Sequence, residues 1–277
     1  MTSAMFRIGG DLRVRRLGFG AMRLPSDPGP AREASLAVAR RAVELGVTLI
    51  DTAHMYGWGA NEELLAEALY PYGDGLLVTT KVGVAQSASP AGWRLDARPD
   101  VLRGQVEHAL RRLRVERIEL LQLHRIDPDV LLEDQLGALR ELQTEGKVGR
   151  IGLSEVTVTE LDQAQQIVDI ASVQNRYSLL DREHEPVLAA CEAAGIAFLP
   201  WRPVALATSD ASAEIAAVAA ELNATPAQVS LAWLLHHSPV ILPIPGTSRI
   251  EHLEENLAAA HLDLHPTLLD RLDRLAE

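Results

Sequence analysis

The chain alternates between short, nearly continuous apolar runs and longer stretches in which apolar residues recur every three or four positions. Leu102, Val106, Leu110 and Leu113 show the second pattern, which is typical of a helix with one buried face. The first pattern predicts strands that are buried on both faces, as in a parallel sheet. Counted from a glycine-rich run near the N-terminus, the eight predicted strands cover residues 16–22, 47–53, 76–82, 118–124, 149–153, 172–175, 196–201 and 240–245.

Strands that alternate with helices in this way predict parallel βαβ units. Eight units within 277 residues fit a (β/α)8 TIM barrel, whose usual length is about 250 residues. An open doubly wound sheet is the rival, but its phosphate-binding fingerprint needs a third glycine after Gly18 and Gly20, where this chain has Arg23. We therefore expect a single barrel domain over residues 1–277, with an N-terminal β-hairpin and a short C-terminal tail.

Composition and charge restrict the functional classes. The net charge of −12 offers no electrostatic case for binding nucleic acid or an anionic membrane surface. No apolar run approaches the roughly 18 residues of a membrane span, and the N-terminus lacks the apolar core of a signal peptide. The one cysteine, Cys191, cannot form an internal disulfide, which fits a cytoplasmic protein. Neither His236-His237 nor His261 with His265 has carboxylates at ligand spacing, so we expect no metal site.

Polar residues stand where three successive predicted strands end. Asp51 ends the second strand, Lys81 the third and His124 the fourth, and Tyr56 follows Asp51 by five positions. In a barrel these strand ends meet at one mouth, where barrel enzymes carry their catalytic groups. An ammonium beside a phenol favours the phenolate by roughly 1–3 pKa units, and Asp51 could keep Lys81 charged and oriented. A tyrosine with such a neighbour can act as a general acid on a carbonyl oxygen or as a base on an alcohol.

Taken singly, each of these residues has an ordinary structural explanation, such as an ion pair or a solvated loop edge. Their joint occurrence favours catalysis, and the residues resemble those of the aldo-keto reductases over essentially the whole chain. That family's first signature is similar to the stretch Asp51-Thr52-Ala53-His54-Met55-Tyr56-Gly57, followed by Asn61-Glu62. The resemblance implies a catalytic tetrad of Asp51, Tyr56, Lys81 and His124. It also implies NADP(H)-dependent reduction of a small aldehyde or ketone, or the reverse reaction, with Tyr56 as the proton donor.

The same resemblance implies a nicotinamide site. Ser154 and Gln174 stand where the family binds the carboxamide, and Trp201 stands where an aromatic ring stacks on the nicotinamide. Arg249, near the start of a helix, would pair with the 2′-phosphate of NADP(H). The implied cofactor-binding residues are Gly20, Met22, Ser154, Glu155, Gln174, Trp201, Gly246, Thr247, Ser248, Arg249, His252, Glu255 and Asn256.

Two departures from the family pattern affect the cofactor. Glu155 replaces an asparagine found in many members, and a carboxylate cannot donate a hydrogen bond to a carboxamide. His252 replaces an arginine that often helps to bind the 2′-phosphate, so NAD(H) remains open as the cofactor. The short C-terminal tail implies an open substrate pocket, with Trp58 and the long loop around Trp93 as its walls.

Two other functions remain open from the residues alone. A barrel with this cofactor site can serve as a non-catalytic subunit that senses nicotinamide nucleotides, because a fold does not by itself establish an activity. A weaker alternative is an isomerase or aldolase that uses Lys81 to form a Schiff base. A separate alternative concerns the predicted phosphate site, because Thr247 or Ser248 could simply cap the helix that starts near Arg249.

Overall fold

The computed structural model describes residues 5–204 and 210–276, and a parallel sheet of seven strands forms its centre. The order across this sheet is β11-β10-β9-β8-β5-β4-β3, and every neighbouring pair is parallel. The strands are β1 (Met5–Ile8), β2 (Leu12–Arg15), β3 (Phe19–Gly20), β4 (Leu49–Asp51), β5 (Leu77–Val82), β6 (Val84–Gln86), β7 (Trp93–Leu95), β8 (Ile118–Leu123), β9 (Val148–Ser154), β10 (Ile170–Gln174) and β11 (Ala197–Phe198).

Residues 240–245 close the sheet into a barrel between β11 and β3. On one side, the Leu242 N–H donates to the carbonyl of Phe198 at 2.8 Å. On the other side, the Gly18 N–H donates to the carbonyl of Pro243 at 2.9 Å, and the Gly20 N–H donates to that of Pro245 at 3.2 Å. The two prolines have no N–H and cannot donate a hydrogen bond to β3, so on this side the segment only accepts hydrogen bonds and does not form a regular strand. The predicted (β/α)8 barrel is therefore confirmed, with its eighth strand irregular.

Helices follow the strands, as the alternation of apolar patterns predicts. The predicted apolar face of α3 is buried, with Leu102 and Val106 fully inaccessible. The helices are α1 (Pro30–Glu44), α2 (Ala60–Leu69), α3 (Pro99–Leu113), α4 (Leu132–Thr144), α5 (Val158–Gln165), α6 (Glu185–Ala194), α7 (Asp210–Glu221), α8 (Pro226–His237), α9 (Ile250–Ala258) and α10 (Pro266–Asp273). In the part of the chain that the structure describes, no helix combines the length and apolarity that a membrane crossing requires.

The N-terminal hairpin of β1 and β2 covers one end of the barrel. Its turn uses Gly9 and Gly10, both with positive φ, as the sequence predicts. Ile8 and Val14 of this hairpin pack in one apolar cluster with residues of several strands, including Leu49 at the start of β4. Because the hairpin fills the end where the strands begin, the end where they finish is left for a site.

A second hairpin corrects one expectation from the sequence. The region after β5, expected to be a long loop, contains the antiparallel pair β6 and β7, in which Val84 faces Leu95 and Gln86 faces Trp93. Gly83, with φ 104°, turns the chain out of β5 into this hairpin. Each strand has only three residues, which is too short for an alternating pattern to be recognised in the sequence.

Candidate active site

A cavity of about 940 Å³ opens at the C-terminal ends of the barrel strands. Gly20 ends β3 and Ser154 ends β9, and both line this cavity together with the Asp51 side chain from β4. His124 and Gln174 reach it from the ends of β8 and β10. The structure thus brings the polar strand ends into one mouth, as parallel strands in a closed barrel require.

Lys81 lies under this mouth and is completely buried. Its ammonium donates to Asp51 Oδ2 at 2.7 Å, to the carbonyl of Thr52 at 2.8 Å and to Tyr56 Oη at 3.3 Å. These contacts use the three N–H donors that an ammonium has. Burial by itself lowers the pKa of Lys81, but Asp51 and Tyr56 outweigh it and raise the pKa above its usual range. Lys81 is therefore a fixed positive charge beside Tyr56.

Asp51 is held by amide groups on its other oxygen. Gln174 Nε2 donates to Asp51 Oδ1 at 2.9 Å, and Gln122 Nε2 donates to the same atom at 3.2 Å. Gln122 was not singled out in the sequence. Its spacing could have identified it as a site residue. Side chains two residues apart on a strand face the same side, and Gln122 stands two residues before His124. The amide nitrogen of Gln174 is thus engaged, which leaves its Oε1 for a ligand.

Tyr56 begins the short 3-10 turn that is the next element after β4, and its ring centre lies 4.9 Å from the Lys81 ammonium. Burial raises the pKa of its phenol, Lys81 lowers it, and Asp51 raises it again. The net direction is upward, so the charge of Lys81 acts as expected from the sequence but does not outweigh burial. Tyr56 in this site is a protonated phenol at neutral pH.

His124, the fourth residue of the predicted tetrad, has its ring edge-on to that of Tyr56, with the two ring centres 6.2 Å apart. Burial, and then the charges of Lys81 and Arg125, hold the pKa of His124 well below its usual range. Its imidazole is therefore neutral and carries one N–H. Nδ1 is buried and makes no hydrogen bond to the described residues.

The far end of the cavity lies at the N-terminus of α9. This helix begins without a side-chain cap on its N-cap residue, Arg249, and Thr247 Oγ1 accepts the N–H of Arg249 at 3.1 Å. The free N–H groups of a first helical turn favour an anion. The predicted cofactor residues that line the cavity are Gly20, Met22, Ser154, Gln174, Trp201, Gly246, Thr247, Ser248, Arg249, His252, Glu255 and Asn256.

Two of these residues have a further structural reason to be glycine. A Cβ on Gly20 would lie 2.7 Å from the carbonyl oxygen of Ile244, and one on Gly246 would lie 2.8 Å from that of Gly20. The backbone of β3 and the closing segment approach each other here too closely for any side chain. Both glycines are therefore needed for barrel closure, whether or not a ligand contacts them.

Two predicted site residues are placed elsewhere. Glu155 does not line the cavity, because its Oε1 accepts the indole N–H of Trp201 and, at 2.7 Å, the backbone N–H of Arg176. Through this bond Glu155 fixes the indole of Trp201. Trp58 packs edge-on against His54, with ring centres 6.0 Å apart, and Met55 lines the cavity instead. Trp93 does line it, at the start of β7.

Four arginines that join the predicted Arg249 in the cavity wall are the main feature that the sequence did not reveal. Arg176 forms an ion pair with Asp181 at 2.7 Å, and Arg202 lies over the ring of Trp201. A charged residue after a strand is usually solvated, so nothing in the pattern distinguished these positions. The arginines in the wall are Arg23, Arg125, Arg176, Arg202 and Arg249. Within residues 5–204 and 210–276, no three His, Cys, Asp or Glu side chains come together as a metal site would need.

Comparison with known proteins assigns the family. The family model described as "Aldo/keto reductase family" matches residues 16–277. An oxidoreductase of Schizosaccharomyces pombe is 44% identical over 269 residues, covering 95% of this chain and 87% of the relative. Pyridoxine 4-dehydrogenase of Escherichia coli is 40% identical over 286 aligned residues, covering 100% and 99% of the two chains. The chain belongs to the aldo/keto reductase family.

A solved structure agrees with this assignment. The aldo-keto reductase from Klebsiella pneumoniae, crystallised with NADPH, superposes with a TM-score of 0.85 at 27% sequence identity. The superposition covers 100% of this chain and 96% of that one. This likeness agrees with the (β/α)8 fold of the chain.

Proposed function

We propose that this protein is an NADP(H)-dependent oxidoreductase that reduces a small aldehyde or ketone to an alcohol and catalyses the reverse reaction. One observation carries the proposal. The buried ammonium of Lys81 links Asp51 to Tyr56, and the Tyr56 phenol stands protonated beside a neutral His124 in a cavity large enough for a dinucleotide.

In this proposal Tyr56 is the general acid. Its Oη gives its proton to the carbonyl oxygen, and the charge of Lys81 at 3.3 Å stabilises the phenolate that remains. His124 is neutral, so it donates one N–H to the same carbonyl oxygen and orients it. When bound, NADPH supplies the hydride that the carbonyl carbon receives.

The residues present fit the nicotinamide end of such a cofactor. Ser154 Oγ accepts a hydrogen bond from Arg125 at 3.0 Å, so its own proton is free to donate to the carboxamide oxygen. The free Oε1 of Gln174 can accept from the carboxamide nitrogen. The indole of Trp201, fixed by Glu155, offers a flat face for stacking.

The phosphate end supports NADP(H) over NAD(H). Arg249 is exposed at the N-terminus of α9, and its ion pair with Glu251 is long, at 3.5 Å, so the guanidinium can turn to a 2′-phosphate. The structurally similar Klebsiella pneumoniae enzyme was crystallised with NADPH. The 40% identical Escherichia coli relative is a pyridoxine 4-dehydrogenase, which favours a primary alcohol and its aldehyde as substrate and product.

The alternatives from the sequence receive less support. An amine nucleophile needs a free lone pair, whereas Lys81 is charged and engaged by three acceptors, so a Schiff base at this residue is disfavoured. A nucleotide-sensing subunit does not require the acid and its supporting charges to be assembled.

Titration with NADPH and NADH, followed by steady-state oxidation of NADPH with a panel of aldehydes and ketones, tests the proposal. We expect tighter binding of NADPH and turnover with at least one small aldehyde. Binding of NADPH without turnover on any carbonyl compound would favour the sensing subunit, and the absence of binding would exclude both.

A further inference from the structure

Arg125 is a partly buried arginine in the cavity wall, directly after His124 in the chain. We propose that Arg125 binds an anionic oxygen on the substrate, close to its reacting carbonyl. The preferred substrates are then carbonyl compounds that carry a carboxylate or an ionised phenol beside the carbonyl group. This inference rests on the proposed reductase function and narrows its substrate class.

The contacts of Arg125 leave part of its guanidinium free. Nη1 donates to the carbonyl of its neighbour His124 and to Ser154 Oγ at 3.0 Å. Among the described residues, Nε and Nη2 donate to no protein atom, and no carboxylate forms an ion pair with the group. Two adjacent donors of a guanidinium match the two oxygens of a carboxylate.

Two other arginines of the wall differ from Arg125 in their pairing or in their position. Arg176 is already paired with Asp181, and Arg249 lies by the N-terminus of α9, where the cofactor phosphates are expected. Arg125 instead touches Ser154 and neighbours His124, at the reacting end of the cavity. A phosphate of the cofactor therefore does not account for it.

The nearby acid does not neutralise Arg125 either. Glu155 attracts it electrostatically, but among the described residues no hydrogen bond or ion pair joins Glu155 to the Arg125 guanidinium, and Glu155 Oε1 accepts from the Trp201 indole and the Arg176 backbone instead. Burial lowers the pKa of Arg125, while Glu155 and Tyr56 raise it, and a guanidinium remains charged under all ordinary conditions. A partly desolvated charge without a partner gains most from a ligand that brings the opposite charge.

Arg125 could instead serve the cofactor carboxamide or only the electrostatics of Tyr56. Both of these roles affect every substrate equally, whereas recognition of a substrate anion affects only charged substrates. The ratio of kcat/KM between a charged substrate and its neutral analogue therefore separates them, whatever the absolute rates.

The test compares two matched pairs of substrates with saturating NADPH. Phenylglyoxylate is paired with its methyl ester, and pyridoxal with its phenol O-methyl ether, so that the two arms distinguish a carboxylate from a phenolate. Wild type is compared with Arg125→Met, which keeps the length of the side chain, and Arg125→Lys, which keeps the charge without the fork. Arg117→Met, an exposed residue that pairs with Glu119, controls for the loss of one positive charge outside the cavity.

We expect Arg125→Met to lower kcat/KM for the anionic member of at least one pair by about tenfold or more, because a charge-assisted hydrogen bond is lost. The ratio of kcat/KM between the anionic and the neutral member should therefore fall by about tenfold or more, whatever loss both members share through the contact of Arg125 with Ser154. Arg125→Lys should recover part of the difference, and Arg117→Met should behave as wild type. Benzoate should also bind the wild-type protein–NADP⁺ complex more tightly than the Arg125→Met complex, which is a readout independent of turnover.

Three results would overturn the inference. Equal losses for both members, with a raised dissociation constant for NADPH, would assign Arg125 to the cofactor. If the wild-type protein prefers neither anionic compound to its neutral analogue, anionic carbonyl compounds are not its preferred substrates, while the reductase function stands. Wild-type protein that reduces neither the charged nor the neutral compounds would exclude the reductase function for these carbonyls and the inference with it.

Discussion

Lys81 donates to Tyr56 across 3.3 Å while its shorter bond, at 2.7 Å, goes to Asp51. The ammonium thus makes its shorter hydrogen bond to the carboxylate and a longer one to the phenol. The phenol therefore keeps its proton until a carbonyl oxygen accepts it. When Tyr56 becomes a phenolate, the same ammonium can shorten its bond to it without moving a second group. This geometry suits a residue that must exist in both protonation states during a cycle.

Replacing Tyr56 by Phe should lower kcat for aldehyde reduction by about 100- to 10,000-fold, the usual contribution of a general acid. Quenching of tryptophan fluorescence by NADPH should persist, since Tyr56 is not needed for the cofactor in our proposal. Tyr70→Phe, at a half-exposed tyrosine remote from the cavity, is the matched control and should retain activity. Near wild-type turnover of Tyr56→Phe would remove the residue from the role of proton donor.

Replacing Lys81 by Met should destabilise the fold as well as abolish turnover. It leaves the Asp51 carboxylate buried without its counter-charge, a change that costs about 3–5 kcal/mol of unfolding free energy in other proteins. The double change Lys81→Met with Asp51→Asn removes both charges and should recover part of the stability but none of the activity. Urea unfolding measures the difference, and a double variant less stable than the single one would contradict the ion-pair account.

Gln122→Leu should act through Asp51 rather than on the substrate. It removes one of the two amide donors to Asp51 Oδ1 and one to Thr79 Oγ1, so we expect a loss of about 1–2 kcal/mol in unfolding free energy. Turnover should fall modestly at unchanged KM. Gln122→Glu should be worse than Gln122→Leu, because it sets a second carboxylate beside Asp51. Equal effects of the two substitutions on the pH profile of kcat would argue for packing alone.

The stability of the protein should fall in mild acid partly because of His54. Burial, followed by the charges of Arg112 and His108, lowers the pKa of His54 to about 4. In the unfolded chain, this histidine takes up a proton near its usual pKa of about 6.5, whereas in the folded protein it does so only near 4. The contribution of neutral His54 to the free energy of unfolding is therefore complete above pH 6.5 and is lost as the pH falls towards about 4. His54→Asn should flatten the decline by at most about 1.4 kcal/mol per pH unit, which urea unfolding can measure.

Arg249→Met should discriminate between the two nicotinamide cofactors. Loss of a charge-assisted hydrogen bond to the 2′-phosphate should raise the dissociation constant for NADPH by about tenfold, with little change for NADH. Arg103→Met, whose side chain pairs with Glu141 and Glu145 on the outer helices, is the control. Equal weakening of both cofactors would mean that Arg249 contacts the part they share.

The sequence alone was sufficient for much of the fold and for the expectation that the four residues of the predicted tetrad lie together. Strand and helix periods are local properties, so the alternation that predicts a barrel can be read along the chain. The meeting of these side chains was equally accessible, because Asp51, Lys81 and His124 each end a predicted strand, and strand ends of a parallel barrel must meet. Even the missed hairpin of β6 and β7 is a local feature, hidden only by the shortness of its strands.

Only the tertiary structure decided which side chains share an environment. The structure adds Gln122 and Arg125 to the site and places Glu155 and Trp58 outside the cavity wall. These differences arise from contacts between residues that are distant in the chain, and from the orientation of each side chain. The net direction of the pKa of Tyr56 was decided in the same way, because burial outweighs the charge of Lys81. Burial and ion pairing depend on every neighbour in space, whereas a sequence pattern specifies neighbours along a strand or helix only.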